Sequence, residues 1–345
     1  MTVIVYGHVT RAVAWTAPIY PKQLGVALFL FATGFTLARE TRPVWAALFK
    51  RLAQLWVFGF ICAAAISVAG AATGTGLALS NFLPLAGGAN VVFNNFPANP
   101  TTWYLGTYLH LLVVWALWLR RVRVRTWMVV AAIAIEIPLR ALLMATAGRF
   151  VAYMLLTNWA AVFLYGLARG REEDVELTSS PVPWIVAAVA GFAAWAFAMR
   201  WVAFELTVPF MTLRGWPAAV ALLAVSAGVS AVYFLAAAIV FESTRRLAAP
   251  AAQVVVRFIA RNTSIIFLAD MPVVLALHPL LMSWHVGYAG RVAIQMLVSL
   301  VGLAAVSEAI WRLLQRSSTY STLVRARERG DGAGTATAPL MGTLR

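Results

Sequence analysis

Apolar residues along this chain gather into blocks close to bilayer-spanning length, separated by short polar stretches that hold most of the charge. The blocks fall at about 1–16, 23–38, 52–72, 102–119, 126–146, 150–168, 183–204, 217–241, 263–282 and 291–312. A hydrocarbon core about 30 Å thick takes roughly 20 apolar helical residues to cross, and its backbone groups must pair within the spanning segment. The pattern predicts an all-α fold: a polytopic transmembrane helical bundle of about ten helices.

The polar connections sharpen this topology. With the N-terminus inside, the connections expected in the cytoplasm carry Arg39, Arg42, Lys50 and Arg51, then Arg120, Arg121, Arg123 and Arg125, then Arg169 and Arg171, then Arg245, Arg246, Arg257 and Arg261. The alternate connections hold Lys22, Arg149 and Arg214, with no charge across 73–101. Short loops rich in Lys and Arg stay in the cytoplasm, so both termini are expected there. Hydrophobic residues make up 62% of the 345 positions and charged ones 11%, too little polar surface for a soluble domain of this length. The formal charge of +15 does not point to a nucleic-acid partner, because its cations are dispersed over separate loops that face anionic lipid headgroups. Cys62 is the sole cysteine and excludes an intramolecular disulfide. The first block lacks the basic front and small-residue cleavage site of a signal peptide. A transmembrane domain over 1–315 and a disordered cytoplasmic tail over 316–345, bearing Arg325, Arg327, Glu328 and Arg329, complete the expected organisation.

An ionisable side chain at membrane depth costs a few kcal/mol on insertion scales, so each needs a partner, a watered cavity or a purpose. The spans contain His8, Arg11, His110, Glu136, Arg140, Asp270, His278 and Glu308. Glu136 and Arg140, four apart, share a helix face and can neutralise one another; Pro138 between them can loosen the helix. Glu308 and Arg312 read as a second local pair. His110 sits mid-helix among Leu, Val and Trp and reads as structural, and His278 and His285 as interfacial. His8 has no acid near it in sequence, and a neutral imidazole is the usual general base near neutral pH. No set of residues suggests a metal site.

The run Val3-Ile4-Val5-Tyr6-Gly7-His8, followed by Gln23 through Thr33-Gly34-Phe35, resembles the acyltransferase-3 family of integral membrane acyltransferases, in which an apolar helix ends in histidine and a segment ending Ser-Gly-Phe follows. Phe49-Lys50-Arg51 is similar to the family's next basic segment, Trp103-Tyr104-Leu105 to its Trp-Phe-Leu, and Arg261 through Leu268 to a Ser-Leu-x-Tyr-Leu segment near the end. There are departures. The family carries an Asp and an Arg-Gly segment upstream of the histidine, whereas this chain begins seven residues before His8. The first block, at about 1.5 Å per residue, reaches roughly 24 Å against a core near 30 Å, so an upstream extension is expected. Asp270 stands where the family has a histidine, and the acid common after Trp-Phe-Leu is absent, with Thr107 and Tyr108 nearby.

The resemblance implies an enzyme moving an acyl group, acetyl in the first instance, from acyl-coenzyme A to a hydroxyl of a sugar or other cell-envelope acceptor, in a bacterial-type inner membrane. A thioester donor with several phosphates calls for an inward site lined by Arg or Lys, and Arg39, Lys50, Arg51 and Arg120 are the candidates. His8 is the candidate catalytic base, with transient acylation of its ring left open as an alternative. Tyr6, Thr33 and Thr36 are candidate hydroxyl partners. Trp103, Tyr104 and Asp270 are candidate acceptor contacts, Asp270 equally a partner for Arg261 or for another helix. Asparagines 81, 90, 94, 95 and 99, interleaved with aromatics, fit either a carbohydrate or glycolipid platform or an ordinary interfacial loop. Two rivals remain: a transporter or flippase relaying protons through Asp270, His8 and Glu136, and a non-catalytic membrane scaffold.

Overall fold

The computed structural model describes residues 2–13, 22–72, 74, 79–92, 102–171, 182, 186, 203–204, 211–212, 217–246, 258 and 262–316. Within them the apolar blocks become helices: α1 (Thr2–Val13), α2 (Lys22–Ala38), α3 (Val44–Ala72), the short α4 (Ala89–Val92), α5 (Trp103–Val114) and α6 (Thr126–Thr146). They are followed by α7 (Arg149–Met154), α8 (Ala160–Gly170), α9 (Ala218–Arg246), α10 (Thr263–Ser283), α11 (Tyr288–Leu297) and α12 (Leu303–Arg316). Val44–Ala72, Thr126–Thr146, Ala218–Phe241, Ile265–Ser283 and Tyr288–Leu313 are long and apolar enough to cross a membrane. Shorter apolar helices cover Gly25–Ala38, Trp103–Leu119 and Ala160–Gly170. The chain is a multi-pass, helical membrane protein. Its flanks carry exposed Leu117, Val130, Ile135 and Leu142, and exposed Trp45, Trp118, Trp127 and Trp284 lie at helix ends, as lipid and its interface favour.

The structure departs from the expected spans in three places. Helix α3 starts at Val44 instead of near 52, because Pro43 precedes its first turn, where the missing proline N–H costs nothing. The predicted sixth span, 150–168, is not continuous: Leu155 is extended (ψ 148°), Leu156–Asn158 form a tight 3-10 turn, and a new helix begins at Ala160. Within the uncharged connection after α3, the turn over Leu79–Leu85 packs on α3 and α5, and Asn81 and Asn90 are buried. The predicted seventh span, 183–204, lies outside the described residues apart from Val186 and Ala203–Phe204, and the latter pair antiparallel with Met211–Thr212. Of the predicted tail only Arg316 is described.

Helix α2 is the hub, packed on α1, α8 and α9. Its contact with α8 is backbone to backbone: a Cβ on Gly34 would strike the Phe163 carbonyl, and Cβ atoms on Gly166 and Gly170 would strike those of Phe31 and Phe35. Gly166 and Gly170 form the small-xxx-small spacing that lets membrane helices approach closely. Arginines tie three connections together at one end. Arg39 donates from Nε to the Gly170 carbonyl (3.1 Å), Arg120 to that of Arg42 (2.8 Å), and Arg171 to those of Val122, Leu119 and Arg120. Three basic loops assigned to one side by their charge are thus neighbours in space.

Candidate functional site

Helix α1 packs against α2, α10 and α11, and the face it presents to them holds Ile4, Val5, His8 and Val9, all buried. The residues at i, i+1, i+4 and i+5 form one apolar stripe with an imidazole inside it. His8 Nδ1 lies 2.7 Å from Asp270 Oδ2, across 262 residues of sequence. The Asp270 side chain is fully buried and that of His8 is 9% exposed, so the ring faces protein rather than lipid. Asp270 Oδ1 accepts the Met271 N–H (2.8 Å). Pro272, two residues on in α10, brings no N–H of its own and loosens the helix beside the carboxylate.

This geometry sets the tautomer. With Asp270 ionised, Nδ1 carries the proton and donates to the carboxylate, leaving the lone pair on Nε2. Among the described residues nothing hydrogen-bonds Nε2. A histidine held at one nitrogen by a buried carboxylate and open at the other is the arrangement that serves general-base chemistry.

Aromatic contacts run from the dyad toward the arginine-rich end. Phe267, one turn before Asp270, lies against Tyr104 (centroids 4.6 Å), which also meets Phe29 (5.2 Å) and Tyr108 (5.6 Å). The buried Tyr104 hydroxyl lies beside Thr33, whose own hydroxyl donates to the Phe29 carbonyl (2.9 Å), and has no hydrogen-bond partner among the described residues. Arg51 donates to Thr36 Oγ1 (3.2 Å), while its buried Nε has no partner among the described residues. Beyond it Arg42 forks onto both oxygens of Glu40 (2.6 and 2.5 Å). That hydrogen bonding holds the Glu40 carboxyl below its usual range against the opposing effect of burial. Burial, aided by repulsion from Arg123, pulls the Arg171 guanidinium below its usual value.

The other predicted site residues divide. Arg39 and Arg120 join the same rim, stacking over Phe35 (4.5 Å) and Trp115 (5.8 Å) as well as capping carbonyls. Lys50 falls within α3, its side chain outside what the structure describes. Tyr6 is 39% exposed and turned from the dyad's face. Trp103 is buried, stacked on Trp159 (6.2 Å) and tilted on Tyr153 (4.8 Å), so it belongs to a closed aromatic cluster instead of an open sugar platform. Asn94, Asn95 and Asn99 lie outside the described residues. Glu308 and Arg312 pair at 3.8 Å on an exposed face. Among the described residues, no group of three His, Cys, Asp or Glu could hold a metal ion.

Glu136 and Arg140 pair at 3.5 Å, as their spacing predicts, and do more than neutralise each other. Glu136 Oε1 accepts the Ala161 N–H at the start of α8 (2.7 Å). Arg140 donates to the Asn158 side chain and carbonyl, to the Ser226 carbonyl (2.7 Å) and to the Ser230 hydroxyl (2.8 Å). The pair supplies the partners that the broken helix at 155–159 lacks. The sequence reading missed Asn158, Ser226 and Ser230, although the Ser226 and Ser230 spacing of four in an apolar helix is a legible signal. It also missed Gln295, Ser299 and Ser307, buried polar residues of the last span.

The sequence profile of the acyltransferase-3 family, described as an acyltransferase domain, matches residues 1–310. No curated protein matches, and no solved structure does.

Proposed function

The chain belongs to the acyltransferase-3 family of membrane acyltransferases, and from that premise we propose that it moves an acyl group, acetyl in the first instance, from acyl-coenzyme A to a hydroxyl of a sugar or other cell-envelope acceptor. The observation that carries the reading is the His8–Asp270 pair at 2.7 Å, buried between helices and open at Nε2. In this reading the acceptor hydroxyl gives its proton to Nε2 as its oxygen bonds to the thioester carbonyl carbon. Collapse of the adduct breaks the C–S bond, and the proton passes from Nε2 to the departing sulfur, releasing a thiol. Asp270 keeps the ring in the required tautomer and stabilises the imidazolium that forms in between. It is a positioning residue in this reading, which takes the pairing with another helix that the sequence left open beside an acceptor contact, its oxygens accepting from His8 and the Met271 N–H.

The donor's phosphates are assigned to the arginine-rich end, with Arg51, whose buried Nε lacks a partner among the described residues, leading, and with Arg39, Arg120 and Lys50 as the further cations of this proposal. That end is read as cytoplasmic, where acyl-coenzyme A is made. The bilayer is read as a bacterial inner membrane, with ten spans and both termini inside. The acceptor then enters from the opposite side.

The test is transfer of label from radiolabelled acetyl-coenzyme A in membranes containing the protein. Wild type is expected to label an acceptor or to release acetate slowly, and His8→Ala to lower either rate by about 10² to 10⁴ with unchanged protein level and melting temperature. Full activity in His8→Ala refutes the assignment. Donor-independent passage of a solute across proteoliposomes would favour a transporter.

A further inference from the structure

Buried polar groups inside a membrane protein are normally paired, because each unpaired one costs up to several kcal/mol. Gln295 and Ser299 break that rule: both are fully buried, and among the described residues neither the amide oxygen and nitrogen of Gln295 nor the hydroxyl of Ser299 has a hydrogen-bond partner. They belong to the last membrane segment, where α11 passes into a π-helical turn over Val298–Gly302 before α12. Such turns inside helices are frequent at functional sites, since the extra residue re-aims side chains.

Their depth follows from the chain. Helices α10 and α11 form an antiparallel hairpin through residues 284–287, and Asp270 lies 13 positions before Ser283, the last residue of α10. The same 13 positions counted into α11 from Tyr288 lead to Val301, so the π turn and Ser299 lie at about the level of the carboxylate. Gln295 lies about one turn nearer the 284–287 connection. Helix α11 and the π turn pack directly on α1 and α10, the helices that carry His8 and Asp270. The unpaired amide and hydroxyl therefore belong to a segment packed on both helices of the dyad, Ser299 at about its level and Gln295 one turn farther from the arginine-rich end.

We propose that Gln295 and Ser299 form a subsite for an uncharged, hydroxyl-rich acceptor. This rests on the acyl-transfer reading and adds where the alcohol sits. An amide offers two donors and an acceptor, and a hydroxyl one donor and two acceptor sites, which suits neighbouring hydroxyls of a sugar and gives nothing to an anion's charge or to an alkyl chain. A site built to hydrogen-bond hydroxyls leaves its own groups unpaired when empty, and that cost is what rejects apolar competitors.

The test is binding, read apart from catalysis. Protein in lipid nanodiscs is titrated with methyl glucoside, a soluble neutral polyol, and its melting temperature is followed, since a ligand that binds only the folded state raises it. Wild type and His8→Ala are expected to show the same saturable rise. Gln295→Leu and Ser299→Ala are expected to bind at least tenfold more weakly, while without ligand they melt no lower than wild type, because an apolar side chain removes an unpaired group. No saturable rise in wild type, unchanged binding in the variants, or a fall in their ligand-free melting temperature overturns the proposal. If binding behaves as stated while His8→Ala still transfers label, the subsite stands and the dyad's role falls.

Discussion

Two acid–base pairs buried among the described residues have opposite designs. Glu136 and Arg140 lie four residues apart on α6, and their surroundings close over them: Arg140 is shared among Asn158, Ser226, Ser230 and Glu136, and Glu136 holds the first turn of α8. His8 and Asp270 come from helices at opposite ends of the chain, and the pair stops short of saturation, one imidazole nitrogen having no partner among the described residues. The insertion cost is similar in kind. What differs is the remaining valence, and that separates architecture from chemistry: a saturated ion pair holds a broken helix, while an unsaturated one has a proton to exchange.

Breaking each pair should therefore fail differently. The largest effect is expected from Arg140→Met, which strands the Glu136 carboxylate and frees the 155–159 break; loss of one partner of a buried pair costs about 3–5 kcal/mol, read as a collapse in folded yield and melting temperature. Adding Glu136→Gln to that variant should recover part of the loss, since no buried charge is then left alone. Asp270→Asn comes next. It should cost only about 1–2 kcal/mol of stability, yet lower the transfer rate by about 10² or more through the wrong tautomer at His8. An Arg140→Met variant that folds well and loses only activity would erase the distinction.

The smallest effect belongs to a third pair, Glu40 and Arg42, at the rim. Its hydrogen bonds depress the folded-state carboxyl value, so the stabilisation is present above the ordinary carboxylate range and is lost as pH falls through the depressed value. Glu40→Gln should lower stability by about 0.2–1 kcal/mol at neutral pH, with the gap to wild type closing in acid. A gap that widens in acid would contradict that sign.

The membrane class was legible because burial in lipid writes a simple signal: apolar blocks, and arginines at alternate ends. The spacing of Glu136 and Arg140 announced their pairing, since a helix brings i and i+4 together. That they hold a break in the neighbouring span was not legible, because Ala160–Gly170 and Arg149–Met154 are as apolar as a continuous helix would be. His8 and Asp270 each stood out as ionisable groups in grease. Their meeting is a tertiary fact of α1 lying on α10, which no spacing encodes. Gln295 and Ser299 went unread because uncharged polar residues are common in spans, and only the lack of partners distinguishes them.

The most direct measurement is a double-mutant cycle on acyl transfer with His8→Ala, Asp270→Asn and the double variant, rates normalised to folded protein. If Asp270 acts only through the imidazole, the double variant is no slower than His8→Ala alone, and the losses are strongly non-additive. Losses that multiply, with Asp270→Asn slowing His8→Ala by the same factor by which it slows wild type, would mean that the two residues act independently and would contradict the account.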